Sequence, residues 1–247
     1  MSWSVREPFA SRQMRSRGLR CPVGGRLWRA AQIREVGEAT KMRRVTAVCI
    51  VLLLLAAACS DAASHNNNGV DLANQGKWAE AIAELDKAIE IEPDNAAPYR
   101  NRGEAYKHLG QYEEAIADFD KAIELDPAYA TAHNNRGTAY SEMGQYEEAI
   151  ADFDRAIEIE PDNAVFHHNR GFTYSKMELP EEAIADFDTA IELDPDMAQP
   201  YFERALSYKS LKNREKAMAD FETALSLAGD DAAFAAMVQQ AIDDYGD

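Results

Sequence analysis

The chain has 247 residues, a formal charge of −17 and three cysteines. Its charge is divided: residues 1–44 carry 11 Lys/Arg against three Glu, a net of +8, so the remainder sums to −25. An acidic body repels phosphate backbones, which argues against nucleic acid and favours basic peptides or proteins as partners. Cys21, Cys49 and Cys59 all precede residue 60, so the body holds neither a disulfide framework nor a cysteine metal site.

Residues 1–41 are Arg-rich, contain Pro22, Gly24 and Gly25, and show no sustained helical or strand period. They are expected to be absent from the mature protein, with translation beginning at Met42. Met42-Arg43-Arg44 then leads into Val45–Ala58, 14 uncharged residues ending in three alanines. A basic start, a short apolar run and small residues at its end predict a secretory signal over 42–58. As a helix the run would rise only about 21 Å, short of the ~30 Å hydrocarbon core of a bilayer. Cys59 follows the alanines directly, and 59–61 is the expected attachment segment. The pattern resembles a bacterial lipoprotein signal, which implies lipidation of Cys59 and an anchor in the cell envelope. Ala56 stands where such signals usually place Leu; the other reading is ordinary cleavage after Ala58, leaving Cys59 a free thiol. Ser60 after the cysteine, by the same resemblance, implies the periplasmic face of the outer rather than the inner membrane.

From residue 62 the sequence repeats. Gly110–Asp120 and Gly144–Asp154 both read GQYEEAIADFD, and EEAIADFD returns at Glu181–Asp188, each step being 34 residues. The frame gives five units, 62–95, 96–129, 130–163, 164–197 and 198–231. Small residues recur at Gly69, Gly103, Gly137, Gly171 and Ala205, and Leu72, Tyr106, Tyr140, Tyr174 and Tyr208 follow three later. Ala81, Ala115, Ala149, Ala183 and Ala217 precede by four Leu85, Phe119, Phe153, Phe187 and Phe221. Ala115, Phe119, Ala122 and Ile123 fall at i, i+4, i+7 and i+8, a helical stripe. Gly76, Gly110 and Gly144 suit the left-handed position that ends a first helix. Pro180 suits the first turn of a second helix. Pro93, Pro127, Pro161 and Pro195 stop the second helices, and Asp94, Asp162 or Asp196 are expected to cap the next ones. Asn66-Asn67-Asn68-Gly69 is poor helix-forming sequence, so the first helix of the first unit is expected to fray. Phe234, Met237, Val238, Ala241 and Ile242 form one more stripe, a capping helix over 232–247.

These spacings resemble the tetratricopeptide repeat, over residues 62–231. The resemblance implies an all-α, right-handed α-solenoid of five helical hairpins plus the cap. One position departs from it: the usual Leu before the first small residue is Asn68, then Arg102, Arg136, Arg170 and Arg204. An Arg there can lay its stem on the seam and send its head to an acidic neighbour.

By the same resemblance the first helices line a concave groove that holds a protein or an extended peptide. Asn67, Asn101, Asn135 and Asn169 recur at one groove position until Glu203 replaces them. Two readings stay open: the amides hold a peptide backbone as a ladder, or they bond within the repeats. Other groove positions differ by unit: Arg100, Glu104 and Lys107, then Asn134, Thr138 and Ser141, then Val165, His168, Phe172, Phe202 and Leu206. An apolar anchor is expected at units four and five, unless the capping helix covers Phe202 and Leu206. The carboxylate clamp of chaperone-binding relatives is absent, since Asn66, Val70, Asn101, Thr131 and Asn135 stand at its positions and only Asn101 fits. No catalytic residue, metal, cofactor or small-molecule substrate is expected: His133 and His167 obey the repeat, and no phosphate loop, nucleophile elbow or HExxH occurs. The resemblances together imply a membrane-anchored envelope adaptor, with a pilotin-like assembly factor or a non-catalytic enzyme subunit as alternatives.

Overall fold

A computed structural model describes residues 61–246. The expected signal segment, Cys59 and residues 1–41 lie outside them. Among the described residues eleven helices follow one another: α1 (61–74), α2 (Trp78–Ile91), α3 (Ala96–His108), α4 (Tyr112–Leu125), α5 (Ala130–Glu142), α6 (Tyr146–Ile159), α7 (Ala164–Lys176), α8 (Pro180–Leu193), α9 (Ala198–Ser210), α10 (Arg214–Leu227) and α11 (Ala232–Gly246). The first ten pair as hairpins α1/α2 to α9/α10. Each hairpin packs on the next, and α3, α5, α7 and α9 also touch one another in sequence, so the first helices form one continuous layer. The architecture is a helical solenoid.

Each unit closes around one large apolar side chain. Phe119, Phe153, Phe187 and Phe221, with Leu85 in the first unit, are essentially inaccessible to solvent. In units one to four the facing helix comes so close that glycine stands there, and a Cβ on Gly103 would sit 2.7 Å from Cε1 of Phe119, whereas unit five places Ala205 at that register. The hairpin turns need left-handed backbone, with φ of +74°, +73° and +76° at Gly76, Gly110 and Gly144. Units four and five place Glu178 and Lys212 at that register, with φ of 60° and 57°.

Three local expectations are corrected. α1 is helical over 61–74 despite its asparagine run, because Gly69 beds on Leu85 and His65 Nδ1 lies 2.6 Å from Glu84 Oε2. Tertiary packing outweighs weak propensity there. The helix caps fall one residue later than expected: Asn95 and Asn163 accept from the backbone N–H of Ala97 and Val165, at the starts of α3 and α7. α9 has Met197 at its N-cap position and no side-chain cap at all. Pro180, by contrast, sits in the first turn of α8 as its ring geometry favours.

The arginines explain the DFD motif. Arg136 Nε and Nη2 donate to Asp152 of its own unit at 2.7 and 2.6 Å, while Nη1 donates at 2.5 Å to Asp120 of the unit before. Arg102, Arg170 and Arg204 repeat the arrangement with Asp118 and Asp86, Asp186 and Asp154, and Asp220 and Asp188. In each DFD, then, the Phe fills the core, the first Asp binds its own unit and the second binds the next. The buried first Asp is never left without its guanidinium. Burial pushes Asp152 up, but Arg136 and His133 more than offset it and hold the carboxyl below its usual range. Asp118 has Tyr99 where Asp152 has His133, and there burial wins and the carboxyl is raised.

Candidate binding groove

Side chains of the first-helix layer are stitched across the unit junctions. Asn101 Nδ2 donates to Asn66 Oδ1 at 2.8 Å, and Asn169 Nδ2 donates to Asn134 Oδ1 at 2.9 Å. Ser141 and Thr173 hydroxyls meet at 3.0 Å, and those of Ser175 and Ser207 at 3.4 Å. The recurring asparagines therefore differ among themselves. Asn101 and Asn169 tie into the preceding unit because that unit offers an amide oxygen one position earlier. For Asn135 the residue at that register is Arg100, and a guanidinium only donates; Asn135 instead accepts from Asn134 Nδ2 at 3.3 Å, while Asn67 is exposed. Arg100 itself donates to Glu104 at 3.0 Å and to the Tyr129 hydroxyl at 3.2 Å.

The aromatic register serves the backbone. The Tyr99 hydroxyl donates to the Pro93 carbonyl at 3.1 Å, and His167 Nε2 lies 3.0 Å from the Pro161 carbonyl. His133 Nε2 stands 3.3 Å from that of Pro127. Each ring thus ties its unit to the end of the previous one.

At units four and five the expected apolar anchor divides. Phe202 is only 7% exposed and packs against Phe221 and, edge-on at 5.8 Å, against Phe234 of α11. The capping helix covers it, which removes Phe202 from the groove. Leu206 is half-buried and touches the same cluster, yet with Phe172 it lines an open cavity of about 600 Å³ between α7 and α9. Val165 is exposed but opens on a separate hollow beside Pro161 and Leu193. His168 turns inward, its ring 5.8 Å from that of Phe187, and burial holds its pKa below the usual histidine value.

Sequence reasoning missed the polar part of that cavity: Ser175, Lys176, Glu203 and Ser207 line it with Phe172 and Leu206. The break in the asparagine row at Glu203 was the available signal. It also missed a hollow of about 510 Å³ at units one and two, whose wall includes Trp78 stacked on His108 at 4.1 Å. Among the described residues, no three His, Cys, Asp or Glu side chains converge as a metal site would require.

The helical pairs, their 34-residue step and the shared layer have a counterpart in known sequences. The TPR repeat signature matches residues 69–110 and 105–144, and the tetratricopeptide repeat signature matches 130–163, 164–197 and 198–231. The chain belongs to the tetratricopeptide repeat family. Among solved structures, this tetratricopeptide repeat protein is similar to MamA, at 25% identity and TM-score 0.58 over 67% of this chain and 96% of that one. It shares its fold with pilF of Pseudomonas aeruginosa, at 20% identity and TM-score 0.64 over 75% and 92% of the two chains. It likewise shares the fold of YrrB, a TPR protein with an unusual peptide-binding site, at 24% identity and TM-score 0.55 over 73% and 92%. No curated protein matches the chain.

Proposed function

We propose that the protein is a lipid-anchored scaffold of the bacterial envelope that holds an extended segment of another protein along α1, α3, α5, α7 and α9. The observation that carries this reading is the cavity between α7 and α9, an open hollow that Phe172 and Leu206 line with apolar surface. An open pocket with apolar walls and a few polar groups is the usual form of a binding site. YrrB, of the same fold, has a peptide-binding site, so an array of this kind is able to carry one. The net charge of −25 after residue 44 would draw basic partners. Cys59, behind the apolar run 45–58, supplies the anchor; among the described residues no helix is long and apolar enough to cross a membrane. The groove binds, and its polar groups hold rather than transform the partner.

A photo-crosslinker placed at Leu206 in the full chain, expressed in envelope-bearing cells, should capture one defined polypeptide. The same group at Ala151, exposed on α6, should not. Equal capture at both sites defeats the groove. Cys59→Ser should release the chain from the membrane fraction, and retention there defeats the anchor.

A further inference from the structure

Glu203 occupies the register held by Asn67, Asn101, Asn135 and Asn169 in the preceding units. It lines the α7–α9 cavity, and burial raises its carboxyl above the usual range, with only Lys176 acting against that. Glu203 is half-buried, whereas the buried acids of the array, Asp118, Asp152, Asp186 and Asp220, are each gripped by an arginine. Among the described residues the Glu203 side chain has no hydrogen bond and no ion pair. Partial withdrawal of a carboxylate from water without a partner carries a cost, and an asparagine at this register would avoid it. The fold therefore presents an unmatched negative group inside a cavity.

We propose that this cavity is a subsite for a lysine or arginine side chain of the bound polypeptide, with Glu203 as its charge partner. This rests on the groove reading above. The opposite wall supports it: Lys176 Nζ lies 4.9 Å from the centre of the Phe172 ring, so that ring face already receives an ammonium. Lys176 is exposed and can swing out, leaving the ring to an incoming cation. Leu206 and Leu211 give the apolar stem of a long side chain its wall, and about 600 Å³ accommodates it. At the rim Glu178 adds a second carboxylate, so the lining carries two acids against one base.

The test uses the purified full chain and two acetylated, amidated dodecapeptides, one alternating Ala with Lys and one alternating Ala with norleucine. In calorimetric titration, Glu203→Asn and the isosteric Glu203→Gln should each weaken the lysine peptide by about tenfold, the size of a lost charge-assisted hydrogen bond. Both should leave the norleucine peptide unchanged. Lys176→Met, which removes the resident cation, should strengthen the lysine peptide by about threefold. Glu147→Gln makes the same charge change on an exposed turn of α6 and should have no comparable effect. If Glu147→Gln weakens the lysine peptide as much as the Glu203 variants do, only the general field is acting and the subsite is overturned. If the Glu203 variants bind both peptides as the native chain does, the subsite fails while the groove stands. If neither peptide binds the native chain, the groove reading fails with it.

Discussion

The residue that most distinguishes this array is the arginine at 102, 136, 170 and 204. Its register was legible from the repeat, and so was the idea that its head seeks an acid. The division of labour within DFD was not, because a spacing of 16 residues to either Asp says nothing about which belongs to the next hairpin. The structure assigns Asp152 inward, with 7% of its side chain exposed, and Asp120 outward, with 54% exposed. The two contacts therefore differ in energy. An exposed ion pair contributes up to about 1 kcal/mol, whereas stranding a buried carboxylate costs several. Arg136→Met should accordingly destabilise the protein by about 3 kcal/mol in urea titration, most of it from Asp152. Adding Asp152→Leu should recover a large part of that loss, since an apolar pair can replace a buried ionic one. A double variant no more stable than the single one would show that the exposed pair with Asp120, and not the buried charge, sets the cost. Glu203 differs from these aspartates, because it is half-buried and no arginine reaches it.

At the scale of the helix, the pattern of small and aromatic residues made the hairpins legible: Gly103 is there because Phe119 leaves no room for a Cβ. The hairpin turns were legible for the same kind of reason in units one to three, where glycine marks them. In units four and five glycine gives way to Glu178 and Lys212, and only the repeat register locates the turn. What remained hidden were features decided between helices. The caps depend on which residue is extended at each helix start, so Asn95 and Asn163 displaced the aspartates beside them. The start of α1 depends on Leu85 and Glu84, 16 and 19 residues away from Gly69 and His65. Lys212 offers a measurable consequence. It is exposed and holds φ near 57° with a Cβ, a conformation that costs an ordinary residue roughly 1–2 kcal/mol. Glycine would remove that strain but give back about 0.4–1 kcal/mol through its freer unfolded chain. Lys212→Gly should therefore raise stability by about 0.5–1 kcal/mol in chemical denaturation. The reverse change at the matching turn, Gly110→Lys, should lower it, and a gain there would mean the turn is not set by local backbone preference.

For the whole solenoid, each hairpin touches its neighbours and little else, so stability is close to a sum of units and junctions. The last junction is the one with α11. Phe202, Phe221 and Val238 form a buried cluster there with Phe234 and Ile242 against it, and this is why the sequence-level apolar anchor lost Phe202 to the cap. A chain ending at residue 231 would uncover Phe202 and leave the face of α9 and α10 without its partner. In a cooperative globule such damage would be felt everywhere. In a one-dimensional stack it should fade with distance, because only nearest neighbours are coupled. Amide exchange in the truncated chain should therefore quicken strongly in α9 and α10, less in α7 and α8, and hardly in α3 and α4. The packing of α9 on α8, the Arg204 bridge to Asp188 and the Ser175–Ser207 contact would pass the loss to the fourth unit. Uniform acceleration across all units would show that the stack unfolds as one body. The cavity at α7–α9 sits one junction from the cap, so the same truncation should also loosen the proposed subsite before any groove position in the first three units.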